Sequence, residues 1–329
     1  MKRLTVGKQL AVDSWQLAVR SHWEISVSKP QIAKRSKLPT FSQLSTAFLI
    51  ALLLLAGQSV MAAGIVVNWT PKSLVNGSPC IFRVRPSKTL KSLSGRWLGR
   101  RVYFNFDAES RTWYGFAGVG IDTASGIHQL KLDATPARGA RVTYSRSVPV
   151  GNAVYPTIDL SVPSKYTEPD AEMLGRIIQE RAVKSDAFEH ITVKPLWNGR
   201  FVTPIKSLIT EGFGTERTFN GVRQSRHQGL DFRAEIGTPV EAMNSGRVII
   251  ARQMFYEGGL VVIDHGCGLL TLYMHLEKIK VNEGDRLKRR QVIGFSGATG
   301  RATGPHLHVG VRWQGLYVDP EELLKINMN

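Results

Sequence analysis

Short apolar runs separated by turn residues make up most of the chain after residue 63. In residues 65–163 these runs alternate or cluster as β-strands do, and they lie at residues 80–84, 101–106 and 127–132. Asn-Gly and Ser-Gly pairs supply turns between them, at residues 76–77, 94–95 and 125–126. Because no helical period of useful length appears, we predict a β-sandwich domain over residues 63–163.

A helical period then replaces the strand pattern. Apolar residues recur at helical spacing, interleaved with charged ones, at Met173, Leu174, Ile177, Ile178 and Val183. The preceding sequence Thr167-Glu168-Pro169-Asp170 resembles a capping box with a proline in the first turn. The pattern predicts one helix of about four turns in a joint over residues 164–196. Whether it docks on either flanking domain or acts as a spacer stays open.

Strands and glycine-bearing turns return from Pro204 onward. The predicted strands lie at residues 246–250, 259–263, 269–273, 291–294 and 306–311. Five or more strands with no long helix among them favour an antiparallel β-sheet domain over residues 197–329. The predicted fold class is therefore mainly β: an N-terminal β-sandwich, a connecting helix and a C-terminal antiparallel sheet.

The N-terminal 62 residues have the pattern of a leader. Residues 47–56 form an unbroken apolar run, with lysines and arginine upstream and small residues downstream as far as Ala63. This combination predicts a secretory signal peptide cleaved after Ala62. A ten-residue run is about half of what a membrane-spanning helix needs, and an uncleaved anchor is the alternative. We expect the mature protein to work outside the cytoplasm and to contact membrane only through an uncleaved signal segment.

The chain is strongly basic, with 43 Lys and Arg against 26 Asp and Glu and a net charge of +17. Such a surface favours anionic partners. The positive residues are scattered, and the one short basic run outside the leader is at residues 288–290. We therefore expect a general preference for anionic surroundings, such as an anionic cell-wall polymer, and no nucleic-acid site.

The two cysteines, Cys80 and Cys267, fall in different predicted domains and form no Cys-x-x-Cys motif. Their spacing excludes a thiolate zinc site and a dithiol redox motif. We expect two separate buried thiols in preference to a disulfide between the domains.

Five residues in the last third of the chain carry the candidate chemistry: His227, Asp231, His275, His306 and His308. Three of them could hold a metal and two could move protons, which is the composition of an open catalytic zinc site. His306 and His308 are two apart in a predicted strand, so both imidazoles leave on one face. The residues alone do not decide which of these two is the ligand. His227 and Asp231 lie in a segment with turn character.

Two other histidines are expected to have structural roles. His128 lies in a predicted strand without a nearby ligand, and His265 lies in a turn at the end of a strand. His190 belongs to the helical joint and has no companion residues.

The motifs around the five residues follow one another in a specific order over residues 213–320. They are Phe213-Gly214, His227-x₃-Asp231, Gly237-Thr-Pro-Val240, Gly246-Arg-Val248, Val262-Ile-Asp-His-Gly266, Leu272-Tyr-Met-His-Leu276, Val281-x₂-Gly-Asp285, Gly294-x₂-Gly297-x₂-Gly300, Thr303-Gly-Pro-His-Leu-His308 and Val318-Asp-Pro320. This order closely resembles the lysostaphin/LytM-type zinc metallopeptidases. Residues 64–163 resemble, more weakly, the β-sandwich that precedes this domain in some members.

The resemblance implies roles for all five residues. It implies that His227, Asp231 and His308 bind one zinc ion, and that His275 and His306 activate water and stabilise the developing oxyanion. Members of the family cut peptide bonds in the stem or cross-bridge of bacterial peptidoglycan. The implied protein is an exported zinc metalloendopeptidase acting on peptidoglycan peptides in the periplasm or cell envelope of a bacterium, or secreted from it.

Two alternatives remain beside this reading. One is a non-enzymatic envelope protein that binds cell wall or activates an amidase; the presence of all five residues argues against it. The other is a zinc peptidase that acts on glycine-rich proteins. The peptide bond that is cut, and any latency imposed by the N-terminal domain or by a loop residue such as Asn220, stay open.

Overall fold

The computed structural model describes residues 64–160, 169–219 and 222–328. Within these ranges the chain forms 21 β-strands and two α-helices. The prediction of a mainly β fold class is confirmed. The predicted leader and Asn220 lie outside the described residues.

The N-terminal strands form one eight-stranded sheet in the order β1-β3-β6-β5-β4-β7-β8-β2. Their bounds are β1 Ile65–Thr70, β2 Leu74–Val75, β3 Pro79–Pro86, β4 Leu90–Trp97, β5 Arg100–Asp107, β6 Thr112–Gly118, β7 Gly126–Pro136 and β8 Val142–Gly151. Strand β5 joins two halves of the sheet, because residues 104–107 pair with β6 and residues 100–103 pair with β4. Phe82 of β3 meets Trp97 of β4 edge to face with ring centroids 5.4 Å apart. The two halves therefore pack against each other around a buried aromatic core.

The joint contains strand β9 (Thr157–Leu160) and helix α1 (Ala171–Glu189). The helix begins later than the predicted capping box, because the side chain of Asp170 accepts the hydrogen bond from Met173 N and so forms the N-cap. Val183, Ala187 and Phe188 pack on an apolar cluster of the C-terminal domain. The helix is therefore docked on that domain and is not a free spacer. In the described part of the chain, neither helix is long and apolar enough to span a membrane.

The C-terminal domain is built on a ten-stranded antiparallel sheet with the main order β10-β13-β20-β17-β16-β15-β18. Its elements are β10 Ile209–Glu211, β13 Gly229–Arg233, β14 Pro239–Glu241, β15 Gly246–Met254, β16 Gly258–Asp264, β17 Leu269–Ile279, β18 Arg286–Leu287, β19 Val292–Ser296, β20 His306–Trp313, β21 Leu316–Val318 and helix α2 Pro320–Lys325. A separate small sheet holds β11 (Glu216–Phe219) and β12 (Val222–Arg226) as an antiparallel pair. Strand β9 of the joint adds to this pair, parallel to β11.

The two domains share one continuous hydrophobic core. Gly118 at the end of β6 lies against Val318, and a Cβ atom added at Gly118 would come within 2.7 Å of Val318 Cγ1. Arg100 Nε donates a hydrogen bond of 2.7 Å to the carbonyl oxygen of Gln314. The N-terminal sheet is therefore fixed to the β20–β21 end of the C-terminal sheet by both apolar and polar contacts.

Both cysteines are buried and neither is in a disulfide. Burial raises the pKa of the Cys267 thiol to about 12, and burial likewise raises the pKa of Cys80. The two thiols therefore behave as small apolar core groups.

Asp319, near the boundary between the domains, caps helix α2, and its negative charge lowers the stability of the folded protein. Asp319 caps α2 by accepting a hydrogen bond from Glu321 N at 2.8 Å, and burial raises its pKa to about 6. Because this folded pKa is above the ordinary value, the carboxylate reduces stability increasingly as the pH rises from about 4 to about 6. Asparagine caps helices about as well and carries no charge.

We expect Asp319→Asn to raise the free energy of unfolding by about 1–2 kcal/mol at pH 8 and to change it little at pH 4. Denaturant unfolding of both proteins at the two pH values measures the difference. Equal stabilisation at both pH values would contradict a charge-based cause.

Candidate metal centre and active site

Strand pairing brings two of the five predicted residues together. Asp231 on β13 lies directly opposite His308 on β20, and both side chains are buried. The expected turn character around Asp231 is wrong, because residues 229–233 form a strand at the interior of the sheet. Gly229 begins this strand, and a Cβ atom there would lie 2.6 Å from His308 Nε2. The glycine therefore leaves the space that the His308 imidazole occupies.

His227 completes a group of three candidate ligands. It lies in the two-residue connection between β12 and β13 and is buried. Its Nε2 is 3.0 Å from Asp231 Oδ1 and 2.9 Å from His308 Nδ1, and His308 Nδ1 is 2.7 Å from the same carboxylate oxygen. The three atoms form a compact triangle of metal-ligating groups.

The position of the ring proton on His227 shows whether a cation could lie among the three groups. Its Nδ1 is 2.8 Å from the carbonyl oxygen of Gly212, which can only accept, so Nδ1 carries the ring proton. In the neutral ring Nε2 then has a lone pair, and that lone pair faces an anionic oxygen and a second imidazole. A divalent cation would satisfy all three groups, and two histidines with one carboxylate form a ligand set found in zinc proteins.

The titration states of the ligands agree with this fit. Burial opposes ionisation of Asp231, yet its close contacts with the His227 and His308 rings hold the pKa of its carboxyl well below the usual range. Burial lowers the pKa of His308 to about 4, although the nearby carboxylate acts in the opposite direction. At neutral pH the carboxylate is ionised and the imidazole is neutral, as metal binding requires.

His275 and His306 lie beside this triangle. His306 Nε2 is 3.8 Å from Asp231 Oδ1, and the His275 ring centroid is 4.7 Å from that of His306. Each ring donates its Nδ1 proton to a backbone carbonyl at 2.8 Å, His275 to Thr299 and His306 to Gly304. A ring that carries its one proton on Nδ1 has Nε2 as a proton acceptor.

Two features distinguish His275. Its surroundings keep the ring neutral, and its backbone has an unusual conformation. Burial, together with the charges that His306 and His308 would carry, lowers the pKa of His275 to about 3. Its φ angle is +63°, in the left-handed region that few non-glycine residues adopt. The pairing of β17 with β16 changes register around this point. The left-handed backbone of His275 therefore coincides with an irregularity in the β16–β17 pairing, at the point where its imidazole lies beside the other histidines.

The structure therefore gathers all five predicted residues into one site and separates His308 from His306. His308 belongs to the ligand triangle, whereas His306 lies outside it. His265 and His128 lie outside this site. His265 contacts the Ser245 carbonyl and Thr271 Oγ1, each at 2.8 Å, and His128 contacts the Ala124 carbonyl in the N-terminal domain.

His227, His275 and His308 line a cleft. Its walls also contain residues that the sequence analysis did not single out: Arg217, Arg226, Gln228, Tyr256, Glu257, Met274 and Arg301. Glu257 is buried and forms an ion pair with Lys184 of helix α1, so the docked helix reaches the cleft wall. The spacing of the arginines in the sequence does not mark them as cleft residues, because basic residues are scattered through the whole chain.

Comparison with known proteins now identifies the domain. Residues 225–320 match peptidase family M23. The chain carries a peptidase M23 domain. A crystal structure of an M23 peptidase from Pseudomonas aeruginosa superposes on 76% of this chain and 94% of its own, with a TM-score of 0.58 and 28% identity. The predicted resemblance to lysostaphin-type peptidases is confirmed.

Two curated relatives each match about a third of this chain. The peptidoglycan DD-endopeptidase ShyB of Vibrio cholerae is 44% identical over 112 residues, which are 34% of this chain and 26% of that protein. Lysostaphin of Staphylococcus simulans is 41% identical over 100 residues, which are 30% of this chain and 20% of that protein. The chain thus covers about a quarter or less of the length of these two relatives.

The geometry predicts different metal binding for variants of the two neighbouring histidines. We expect wild-type protein to bind one zinc ion and His308→Ala to lose at least about 100-fold in zinc affinity, because a ligand is gone. His306→Ala should retain binding within about tenfold, because its ring lies outside the triangle. Competition with a chromogenic chelator measures both. Equal loss in the two variants would show that the ligand assignment is wrong.

Proposed function

We propose that this protein is an exported zinc metalloendopeptidase that hydrolyses peptide bonds in the stem peptides or cross-bridges of bacterial peptidoglycan. The observation that carries the proposal is the triangle of His227, Asp231 and His308 beside two imidazoles whose Nδ1 atoms donate to backbone carbonyls. The relative named a peptidoglycan DD-endopeptidase supports the substrate class.

His227, Asp231 and His308 would hold the zinc ion. When bound, zinc supplies Lewis acidity towards a carbonyl oxygen and lowers the pKa of water. The buried His275 is neutral at neutral pH, so its Nε2 can take a proton from the attacking water and pass it to the leaving amine. His306 presents the same ring atom, and it donates to a developing oxyanion only when that nitrogen carries a proton.

Export is part of the proposal. Its support is the sequence of residues 1–62, with an apolar run and small residues before the proposed cleavage point. Peptidoglycan lies outside the cytoplasm, so an exported enzyme in the periplasm or cell envelope, or one secreted further, would meet it. The excess of Lys and Arg over Asp and Glu, which persists after residue 62, suits an anionic cell-wall polymer.

A second candidate substrate is a glycine-rich peptide. A relative from Staphylococcus capitis, 39% identical over 100 residues, is named a glycyl-glycine endopeptidase. Together with the DD-endopeptidase relative, it indicates that related domains act on different bonds. The bond must therefore be identified from products.

Digestion of purified peptidoglycan by residues 63–329 tests the proposal, with products read by mass spectrometry. We expect new amino termini that disappear on chelation and return when zinc is added. His275→Ala should lose at least about 100-fold in rate, the scale of general acid–base catalysis, while still binding zinc. His128→Gln in the N-terminal domain is the matched control and should cut normally.

Three results would revise the proposal. Intact peptidoglycan together with cleavage of glycine-rich peptides would favour the second substrate. Intact substrates of both kinds from a zinc-loaded protein would favour the non-enzymatic wall-binding role. Full activity of His275→Ala would remove this histidine from the mechanism.

A further inference from the structure

The two carboxylate oxygens of Asp231 face different partners. Oδ1 faces His227 Nε2 at 3.0 Å and His308 Nδ1 at 2.7 Å. Oδ2 accepts a hydrogen bond of 2.8 Å from Arg217 Nη2. The guanidinium group therefore occupies one oxygen and leaves the other directed at the two imidazoles.

Arg217 is itself held by a second carboxylate. Its Nε and Nη2 donate to Glu211 Oε1 and Oε2 at 2.7 and 2.8 Å, a two-pronged pair that only arginine can form. The side chains of Arg217, Glu211 and Asp231 are 18%, 15% and 10% exposed, so this network is largely shielded from water. Arg217 therefore has little freedom to move away from Asp231.

Strand pairing explains why a cation is needed at this position. Glu211 on β10 lies opposite Asp231 on β13. Like charges on directly opposite residues of an antiparallel pair destabilise the sheet. Arg217 contacts both carboxylates and offsets their repulsion, and its direct hydrogen bond orients Asp231.

The same pair also reaches a second ligand. Glu211 Oε1 is 3.4 Å from His227 Nδ1, the nitrogen that donates to the Gly212 carbonyl. A carboxylate on this side of the ring favours a proton on Nδ1 and therefore a lone pair on Nε2. Two of the three candidate ligands thus contact the Glu211–Arg217 pair.

We propose that Arg217 is a positioning residue of the metal centre, which holds Asp231 so that a single carboxylate oxygen faces the metal, with Glu211 holding Arg217 in turn. This inference rests on the zinc site of the proposed function. Arg217 lies on β11, where it pairs with Ile158 of β9. Strand β9 of the joint therefore supports β11, the strand that carries Arg217.

Zinc affinity and the visible spectrum of the cobalt-substituted full chain test this role. We expect Arg217→Met to lose about 10–100-fold in zinc affinity, the usual effect of removing a group that orients a ligand. Its cobalt bands should weaken, because the released Oδ2 can turn to the metal and raise the coordination number. Arg217→Lys keeps the charge without the two-pronged geometry and should lose about tenfold.

Arg233→Met is the matched control, because Arg233 is exposed on the same strand as Asp231. It should keep the wild-type affinity and spectrum. Each protein is measured well below its melting temperature, so that reduced stability does not appear as reduced affinity.

Wild-type affinity and an unchanged cobalt spectrum in a folded Arg217→Met protein would overturn the inference, and its residual role would be structural. If that variant does not fold, the same result in Arg217→Lys is decisive. Both readouts need no substrate, so a failure to cut peptidoglycan bears on the proposed function alone. A wild-type protein that binds no zinc would overturn both.

Discussion

The site depends on the register between β13 and β20. This register sets Asp231 opposite His308, and β20 also pairs with β17, where Met274 lies opposite His308 just before His275. A slip of one residue would turn every β20 side chain to the other face of the sheet. The slip is prevented because Leu307, Val309 and Val311 alternate with the histidines and are fully buried. The buried apolar face of β20 thus fixes the face on which His306 and His308 lie.

A close backbone approach provides the second constraint. Gly258 and Gly300 lie so near each other that a Cβ atom on Gly300 would collide with the backbone of Gly258. This contact brings the loop before β20 against the start of β16, and the loop places the Thr299 carbonyl 2.8 Å from His275 Nδ1. The glycine-rich loop therefore has a direct chemical effect, because it selects the tautomer of the proposed general base.

The local sequence pattern predicted the strands and the shared face of His306 and His308. The order of the motifs predicted the family. The local pattern could not choose between these two histidines, because that choice depends on which one lies opposite Asp231, a pairing 77 residues away in sequence. Nor could it predict the left-handed backbone of His275, since strand periodicity assumes regular φ angles. Arg217 was missed for the same reason: its importance comes from Glu211 and Asp231, and nothing in its own sequence surroundings distinguishes it from other arginines.

The N-terminal domain and the linker contribute to the surroundings of the site. Arg226, which directly precedes His227, donates to Asp122 of the N-terminal domain at 2.9 Å and to Glu216 of β11 at 3.1 Å. Strand β9 pairs with the same β11 that carries Arg217. Because the hydrophobic core is also continuous between the domains, movement of one domain relative to the other would disturb Arg226 and β11 together. The five candidate residues lie within the M23 match at residues 225–320, and contacts with β9, β11 and the N-terminal domain support their surroundings.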